Sequence, residues 1–282
     1  MQEEKNITND SAARLTSLGR WFFIRRRLAL VLILSLAIST LALLIFHWDH
    51  KLIFIPLELG TKFLIVYPAI WAGCRWYGSS ITRFRTEKKA VWLTFDDGPH
   101  PEDTPELLKL LKQHNAKATF FVIGRHVEKH PELARAILRD GHSLGNHTQN
   151  HPVAFFWSFL APQLTREIDR CTRTIAEATG QTTRWFRAPA GMANLFLHFL
   201  LCDRKMNLIG WSARGFDGLF HNPDAMAKRI FKAIQPGAIV LMHEGRRDRQ
   251  GRRINLILAE KILTRLTAEG YVCLVPEEKD FA

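Results

Sequence analysis

The chain has 282 residues, 47% hydrophobic and 23% charged, a globular composition long enough for one sizeable domain with an appendage or for two small domains. Lysine and arginine outnumber aspartate and glutamate by 39 to 27, a formal net charge of +12, which suits an anionic partner: nucleic acid, acidic lipid or acidic glycan. No basic helix with interleaved stacking aromatics and no nucleic-acid motif is present, so nucleic acid is not expected as a partner and a membrane accounts better for the charge.

Residues 1–27 form a basic N-terminal segment ending in Arg20, Arg25, Arg26 and Arg27. From Leu28 to Phe46 the chain runs without a charge, about the length a helix needs to cross a bilayer core, and this stretch is expected to be transmembrane. The preceding arginines place the N-terminus in the cytoplasm of a bacterial-type inner membrane. A cleaved signal peptide fits less well, because the apolar run is long and no small-residue cleavage site follows it. A second apolar stretch, residues 52–73, is broken by Pro56, Glu58, Gly60, Lys62 and Pro68. If it spans, the anchor (28–73) is a helical hairpin and the rest of the chain lies on the cytoplasmic face; if it rests in the interface, the rest is periplasmic. Arg75, Arg83, Arg85, Lys88 and Lys89, in and just after a basic linker over 74–88, favour the hairpin. Cys74, Cys171, Cys202 and Cys273 are scattered, which suggests neither a zinc knuckle nor a disulfide scaffold.

From 89 to 282 short apolar runs alternate with amphipathic segments, the pattern of an α/β fold. Strands are predicted at Ala90–Phe95, Ala118–Ile123, Ser143–Asn146, Arg184–Arg187, Asn207–Ser212, Ala238–Met242 and Tyr271–Val275. Helices are predicted at Pro105–His114, Pro131–Asp140, Ala161–Thr179, Pro223–Ile234 and Ile254–Glu269. The unusual polar residues Asp96, Asp97, His147, Arg187, Asp217 and His243 fall at or just past the C-terminal ends of predicted strands. In β/α barrels that is the end where sites are built.

Two of these clusters carry chemistry. Asp96 and Asp97 end an apolar strand before Gly98-Pro99; taken alone, the pair reads first as a turn closing a strand. His147 and His151 are spaced i,i+4, one helical turn apart, and are able to reach a common ion, although a lone pair at that spacing reads more often as a solvated helix face. A carboxylate from the aspartate pair completes a two-histidine, one-carboxylate set with open positions for water and substrate. His114, His126, His130 and His142 are read as surface or packing residues.

The segments Thr94-Phe95-Asp96-Asp97-Gly98-Pro99, His147-Thr148-x-x-His151, Arg187-Ala188-Pro189-Ala190-Gly191, Trp211 to Asp217 and Leu241-Met242-His243 resemble, in this order, the motifs of the NodB-type polysaccharide deacetylases, carbohydrate esterase family 4. The resemblance covers about residues 89–282. It implies a distorted (β/α) barrel and hydrolysis of N-acetyl groups on amino sugars. By that resemblance Asp97, His147 and His151 are metal ligands, Asp96 is the general base and Arg187 its partner. His243 is the general acid and Asp217 orients it, while Pro189, Ala190 and Trp211 contact substrate. Zinc is the first choice of divalent metal from the ligand types, with nickel, cobalt or iron as alternatives. The sequence departs from the family pattern at Ala190, where an aromatic residue is usual, and at Gly218, where tryptophan is common.

The apolar runs Val153–Leu160 and Leu195–Leu201 lie close to the histidine and arginine motifs and read either as core or as loops dipping into a membrane interface. On the second reading the partners are membrane lipids and an acetylated amino-sugar glycan or glycolipid. A free polysaccharide, peptidoglycan or an exopolysaccharide, is the alternative substrate. An inactive carbohydrate-binding module is the alternative function. Protein partners are not indicated.

Overall fold

The structure, a computed structural model, describes residues 80–153, 161–192, 196–217, 220 and 222–281, with isolated positions between 34 and 67. Two units are distinguished, Met1–Gly78 and Ser79–Ala282. In the first, the described residues, among them Leu34, Ile38, Leu41, Ile55, Leu59, Phe63 and Tyr67, are helical and leave these apolar side chains exposed. Among the described residues no helix is long and apolar enough to cross a membrane; most of the two expected spans, 28–46 and 52–73, lies outside them.

In the second unit, eight parallel strands pair in one sheet: β1 (Ala90–Gly98), β2 (Ala118–Val122), β3 (Ser143–Asn146), β4 (Trp185–Phe186), β5 (Asn207–Leu208), β6 (Ala213–Arg214), β7 (Ala238–His243) and β8 (Val272–Cys273). Their order is β5-β4-β3-β2-β1-β7-β6, with β8 paired to the start of β1. Helices α1 (Asp103–Gln113), α2 (Gly124–Lys129), α3 (Pro131–Arg139), α4 (Ala161–Thr179), α5 (Leu197–Asp203), α6 (Pro223–Ala233) and α7 (Ile254–Ala268) connect them. This is the parallel α/β half-barrel form of the distorted barrel expected from the sequence.

Central strands of such a sheet are covered on both faces and therefore read as continuous apolar runs. Alternation along β1 shows how the two faces are used. Val91, Leu93 and Phe95 join the main core with Leu107, Leu111, Leu258 and Ile262 of the surrounding helices. Ala90 and Trp92 point the other way, into a second cluster with Phe121, Trp185 and Ile239. Thr94 and Asp96 continue that face toward the C-terminal end of the strand.

Several boundaries differ from the sequence reading for physical reasons. Of the predicted strand Asn207–Ser212 only Asn207–Leu208 is strand, paired with Trp185–Phe186 of β4; the chain then leaves that edge, and Ala213–Arg214, beyond the predicted end, pairs with Val240–Leu241 of β7. Helices α2 and α5, only 6 and 7 residues long, are too short for a 3.6-residue period to show. Residues 80–88, expected as linker, lie on the domain: Ile81 bridges Ile209, Arg83 bridges Ala238, and Phe84 is buried. The run Leu195–Leu201, read as core or interfacial loop, is core where described, since Leu197 and Leu201 of α5 are buried against Leu164 and Phe186. Of the other run only Val153 is described, and it is exposed.

Candidate active site

β1 carries the aspartates at its C-terminal end, and that end is not regular. The register with β2 shifts between Asp96 and Gly98, and Asp97 has φ 73°, the left-handed region. Strict alternation sends adjacent side chains to opposite faces; this bulge returns Asp97 to the side of Asp96. Both carboxylates then face one imidazole: His147 Nε2 lies 3.8 Å from Asp96 Oδ2 and 3.6 Å from Asp97 Oδ1. Gly98 is required by a neighbour, because a Cβ there would lie 2.3 Å from Oε1 of the buried Glu244.

The histidine pair is not on a helix, contrary to the sequence reading. Residues 147–151 form a loop after β3, with Thr148 at φ 68° and His151 at φ 55°. Asn146 folds this loop: its Oδ1 accepts from Thr148 N at 2.8 Å while its Nδ2 donates to Ile168 O and Thr172 Oγ1 of α4. The rings still converge, 4.8 Å between centroids, so i,i+4 spacing survives by a different route.

Asp97, His147 and His151 place one ligand atom each within 4.8 Å of one another. The chemistry of these donors fits a divalent ion. His147 Nδ1 lies 2.8 Å from the carbonyl of Arg187, which accepts its proton and leaves Nε2 with the lone pair facing the site. His151 Nε2 is 3.2 Å from Asp97 Oδ1, and that buried oxygen receives no hydrogen bond. Burial, then the neighbouring His147, pushes the His151 pKa down to about 4, which keeps this ligand neutral. For Asp97 burial acts upward, but His147, His243, His151 and Arg246 outweigh it and hold the carboxylate below its ordinary value.

Arg187 is wholly buried just past β4. Its Nη1 donates to Asp96 Oδ1 at 2.7 Å and to Thr94 Oγ1 at 2.8 Å, Nη2 to Gly210 O, and Nε to Ile209 O. A buried charge is tolerated when paired and hydrogen-bonded, as here. The guanidinium also stacks over Phe121 at 4.1 Å.

Across the sheet His243 is the register partner of Asp96. Asp217 accepts from His243 N through Oδ2 and from Nδ1 through Oδ1, each at 2.9 Å. Nδ1 is thereby the proton-bearing nitrogen on that side. Burial alone would lower the His243 pKa, but Asp217, then Asp96 and Asp97, raise it above its ordinary value. Pro189 is buried, and Ala190 sits exposed at φ 53° in the short 3-10 turn Pro189–Gly191. Trp211 is partly buried, with the guanidinium carbons of Arg187 and Arg214 at 5.8 and 5.5 Å from its ring centre. Gly218 lies outside the described residues.

Three supporting residues escaped the sequence reading. His126, read as surface or packing, lies with Nδ1 2.9 Å from the carbonyl of Asp97 and supports that strained residue from behind. Arg246 donates to Asp97 Oδ2 at 2.9 Å. Glu244 is buried beneath Gly98, accepting from Thr104 Oγ1 and His100 N. A charged tetrad following a strand reads as a solvated loop, so nothing in the sequence singled out Glu244 or Arg246. His142, by contrast, is the packing residue expected: it is buried and accepts from Ala118 N.

Together these features define a class: an α/β half-barrel whose strand ends carry three residues able to hold one ion, a buried acid held by arginine and a histidine held by aspartate. Residues 84–197 match the polysaccharide deacetylase family. A chitooligosaccharide deacetylase of Bradyrhizobium sp. is 38% identical over 159 residues, 56% of this chain and 71% of that protein. A peptidoglycan-N-acetylglucosamine deacetylase of Bacillus cereus is 31% identical, covering 65% of this chain and 84% of its own length. Among solved structures, a mutant carbohydrate esterase family 4 pseudoenzyme with restored activity superposes with TM-score 0.62 at 32% identity, over 69% of this chain and 68% of that one. The chain belongs to the polysaccharide deacetylase family, a class of enzymes.

Proposed function

We propose that the protein is a metal-dependent N-deacetylase of an acetylated amino sugar, anchored at the cytoplasmic membrane through residues 28–73. The observation that carries the reading is the complete set around one point: Asp97, His147 and His151 converge, Asp96 is held by Arg187, and His243 is held by Asp217. The family includes a pseudoenzyme, so membership alone does not establish turnover, but a pure binder has no use for a paired base and acid beside an open ligand set.

A divalent ion, zinc by ligand type, supplies Lewis acidity toward the acetyl carbonyl and a water of lowered pKa. Asp96, its carboxylate fixed at Oδ1 by Arg187, accepts the proton of the attacking water. The developing oxyanion takes the backbone N–H of Ala190 in its left-handed turn. His243 protonates the departing amine through Nε2, with Asp217 stabilising its charged form. Ala190 in place of a larger aromatic leaves room beside the acetyl group.

The relatives that act on chitooligosaccharide and on peptidoglycan N-acetylglucosamine support a β-linked N-acetylglucosamine glycan as the coarse substrate. Within that class the anchor and the aromatic run Phe155-Phe156-Trp157 favour a substrate carried on a lipid at the membrane surface, and the basic residues after the anchor favour the cytoplasmic face. A soluble polysaccharide is the second reading, supported by those same relatives.

Acetate release tests the reading. The full chain, stripped with a chelator and reloaded with zinc, is expected to release acetate from N-acetylglucosamine oligosaccharides only when loaded. Asp96→Asn is expected to keep zinc but lose turnover by about 10²-fold or more. A fully active Asp96→Asn enzyme removes the base assignment, and a zinc-binding wild type that releases no acetate from any amino sugar favours a binding module. A C-terminal topology reporter decides the membrane face.

A further inference from the structure

We propose that Arg246 is a positioning residue for Asp97: it holds Oδ2 so that Oδ1 alone is presented to the ion. This rests on the reading of Asp97, His147 and His151 as metal ligands. The two oxygens of Asp97 have different surroundings. Oδ1 lies 3.2 Å from His151 Nε2 and 3.6 Å from His147 Nε2, is buried, and receives no hydrogen bond. Oδ2 accepts from Arg246 Nη2 at 2.9 Å. A carboxylate held at one oxygen cannot rotate about its Cβ–Cγ bond to offer both, and outer partners of this kind orient ligands.

The segment bearing Arg246 is fixed on both sides. Before it, Gly245 N donates to Asp103 Oδ2 at 2.8 Å. After it, both Nη atoms of Arg247 bond to Asp103, at 3.0 and 2.9 Å, and Nη2 also bonds to Glu102. Asp103 is fully buried at the start of α1 and is further fixed by Asn255 of α7. The Asp248 carboxylate closes the following turn on Gln250 N and Arg252 N. Arg247 is thus committed to Asp103 and Glu102, whereas the carboxylate paired with Arg246 is Asp97. A cation beside a metal ligand has two opposed effects. It repels the ion, and it fixes the ligand. The geometry favours the second, because a guanidinium delivered on so rigid a loop defines a direction as well as a charge.

The effects separate by substitution in the full-length protein. If orientation dominates, Arg246→Ala weakens zinc affinity, measured by chelator competition, by about 10- to 100-fold. Arg246→Gln, which keeps a donor without the charge, recovers part of the loss. The cobalt-loaded Ala variant shows altered visible absorption as the ligand set loosens. If charge dominates, both variants bind zinc more tightly than wild type, and the proposal fails. It fails equally if affinity and cobalt spectrum are unchanged while KM for the amino sugar rises, since Arg246 then serves the substrate. Should Arg246→Ala not fold, the Gln variant carries the test: affinity at or above the wild-type value overturns the proposal. Zinc binding that survives Asp97→Ala in the otherwise native chain rejects the ligand reading itself and is distinguishable from all of these.

Discussion

Glu244 is a carboxyl group that the chemistry does not use, held where a charge is expensive. Burial first, then Asp103 and Asp97, push its pKa up to about 8 against the opposing bonds from Thr104 and His100. From the ordinary value of 4.5 up to about 8 the folded chain binds a proton here that the unfolded chain has released. Stability therefore falls as pH rises through that window. Glu244→Gln keeps the shape and the acceptor for Thr104 but removes the titration. Its melting temperature is expected to match wild type at about pH 5 and to exceed it at about pH 8, checked by thermal unfolding at both values. A constant difference across the range removes the assignment. The same residue shows the limit of sequence reading at this scale. Asp96, Asp97, His147, His151, Arg187, Asp217 and His243 could be picked out because each falls in a recognisable motif, and the structure brings them together at one end of the sheet. Glu244 and Arg246 could not, because their roles depend on which loop folds over which, and a charged run carries no signal of that.

At the scale of elements, the half-barrel was legible wherever the period was long enough to count: α4 and β3 match the sequence reading residue for residue, and β1, β2 and β7 match to within a few residues. What escaped was local backbone geometry, above all the left-handed Asp97 and the non-helical loop from His147 to His151, since a bulge or a left-handed residue leaves the hydrophobic pattern unchanged. Close packing between strands adds a constraint that the pattern also hides. A Cβ on Gly145 of β3 would lie 2.4 Å from the ring of Phe121 on β2, and both Phe121 and the Arg187 stacked on it are fully buried. Gly145→Ala therefore overpacks a contact that supports the Asp96 partner. It is expected to cost about 1–3 kcal/mol in unfolding free energy, and, through Arg187, to lower kcat more than it changes zinc affinity. Denaturant unfolding and chelator competition on the same preparation check both halves; an unaltered stability shows that the ring has somewhere to go.

At the scale of the whole molecule, the chain joins a unit that ends at Gly78 to one that begins at Ser79. The second contains three clusters of buried side chains and the entire candidate site, and its first residues are already committed to it: Phe84 N donates to Gly237 O at 3.0 Å, and Ile81 N to Leu208 O at 2.8 Å. Among the described residues these clusters are built from positions 81–281 alone, and about 200 residues suffice for an independent domain. Residues 79–282 alone are therefore expected to fold cooperatively, to bind zinc with the affinity of the full chain, and to release acetate from a soluble N-acetylglucosamine oligosaccharide at a comparable rate. Cutting instead after Lys88 removes Ile81 and Phe84 and is expected to lower the melting temperature, because the strand edges they cover are left open. On vesicles bearing a lipid-linked acetylated amino sugar the two forms should diverge. With residues 28–73 anchoring it as proposed, the full chain is expected to share one surface with the substrate, whereas the free domain must find the lipid from solution, so its kcat/KM is expected to drop there and not on the soluble oligosaccharide. Equal rates for both forms on both substrates would mean that residues 1–78 contribute nothing to catalysis at the membrane, and the soluble polysaccharide reading would take precedence.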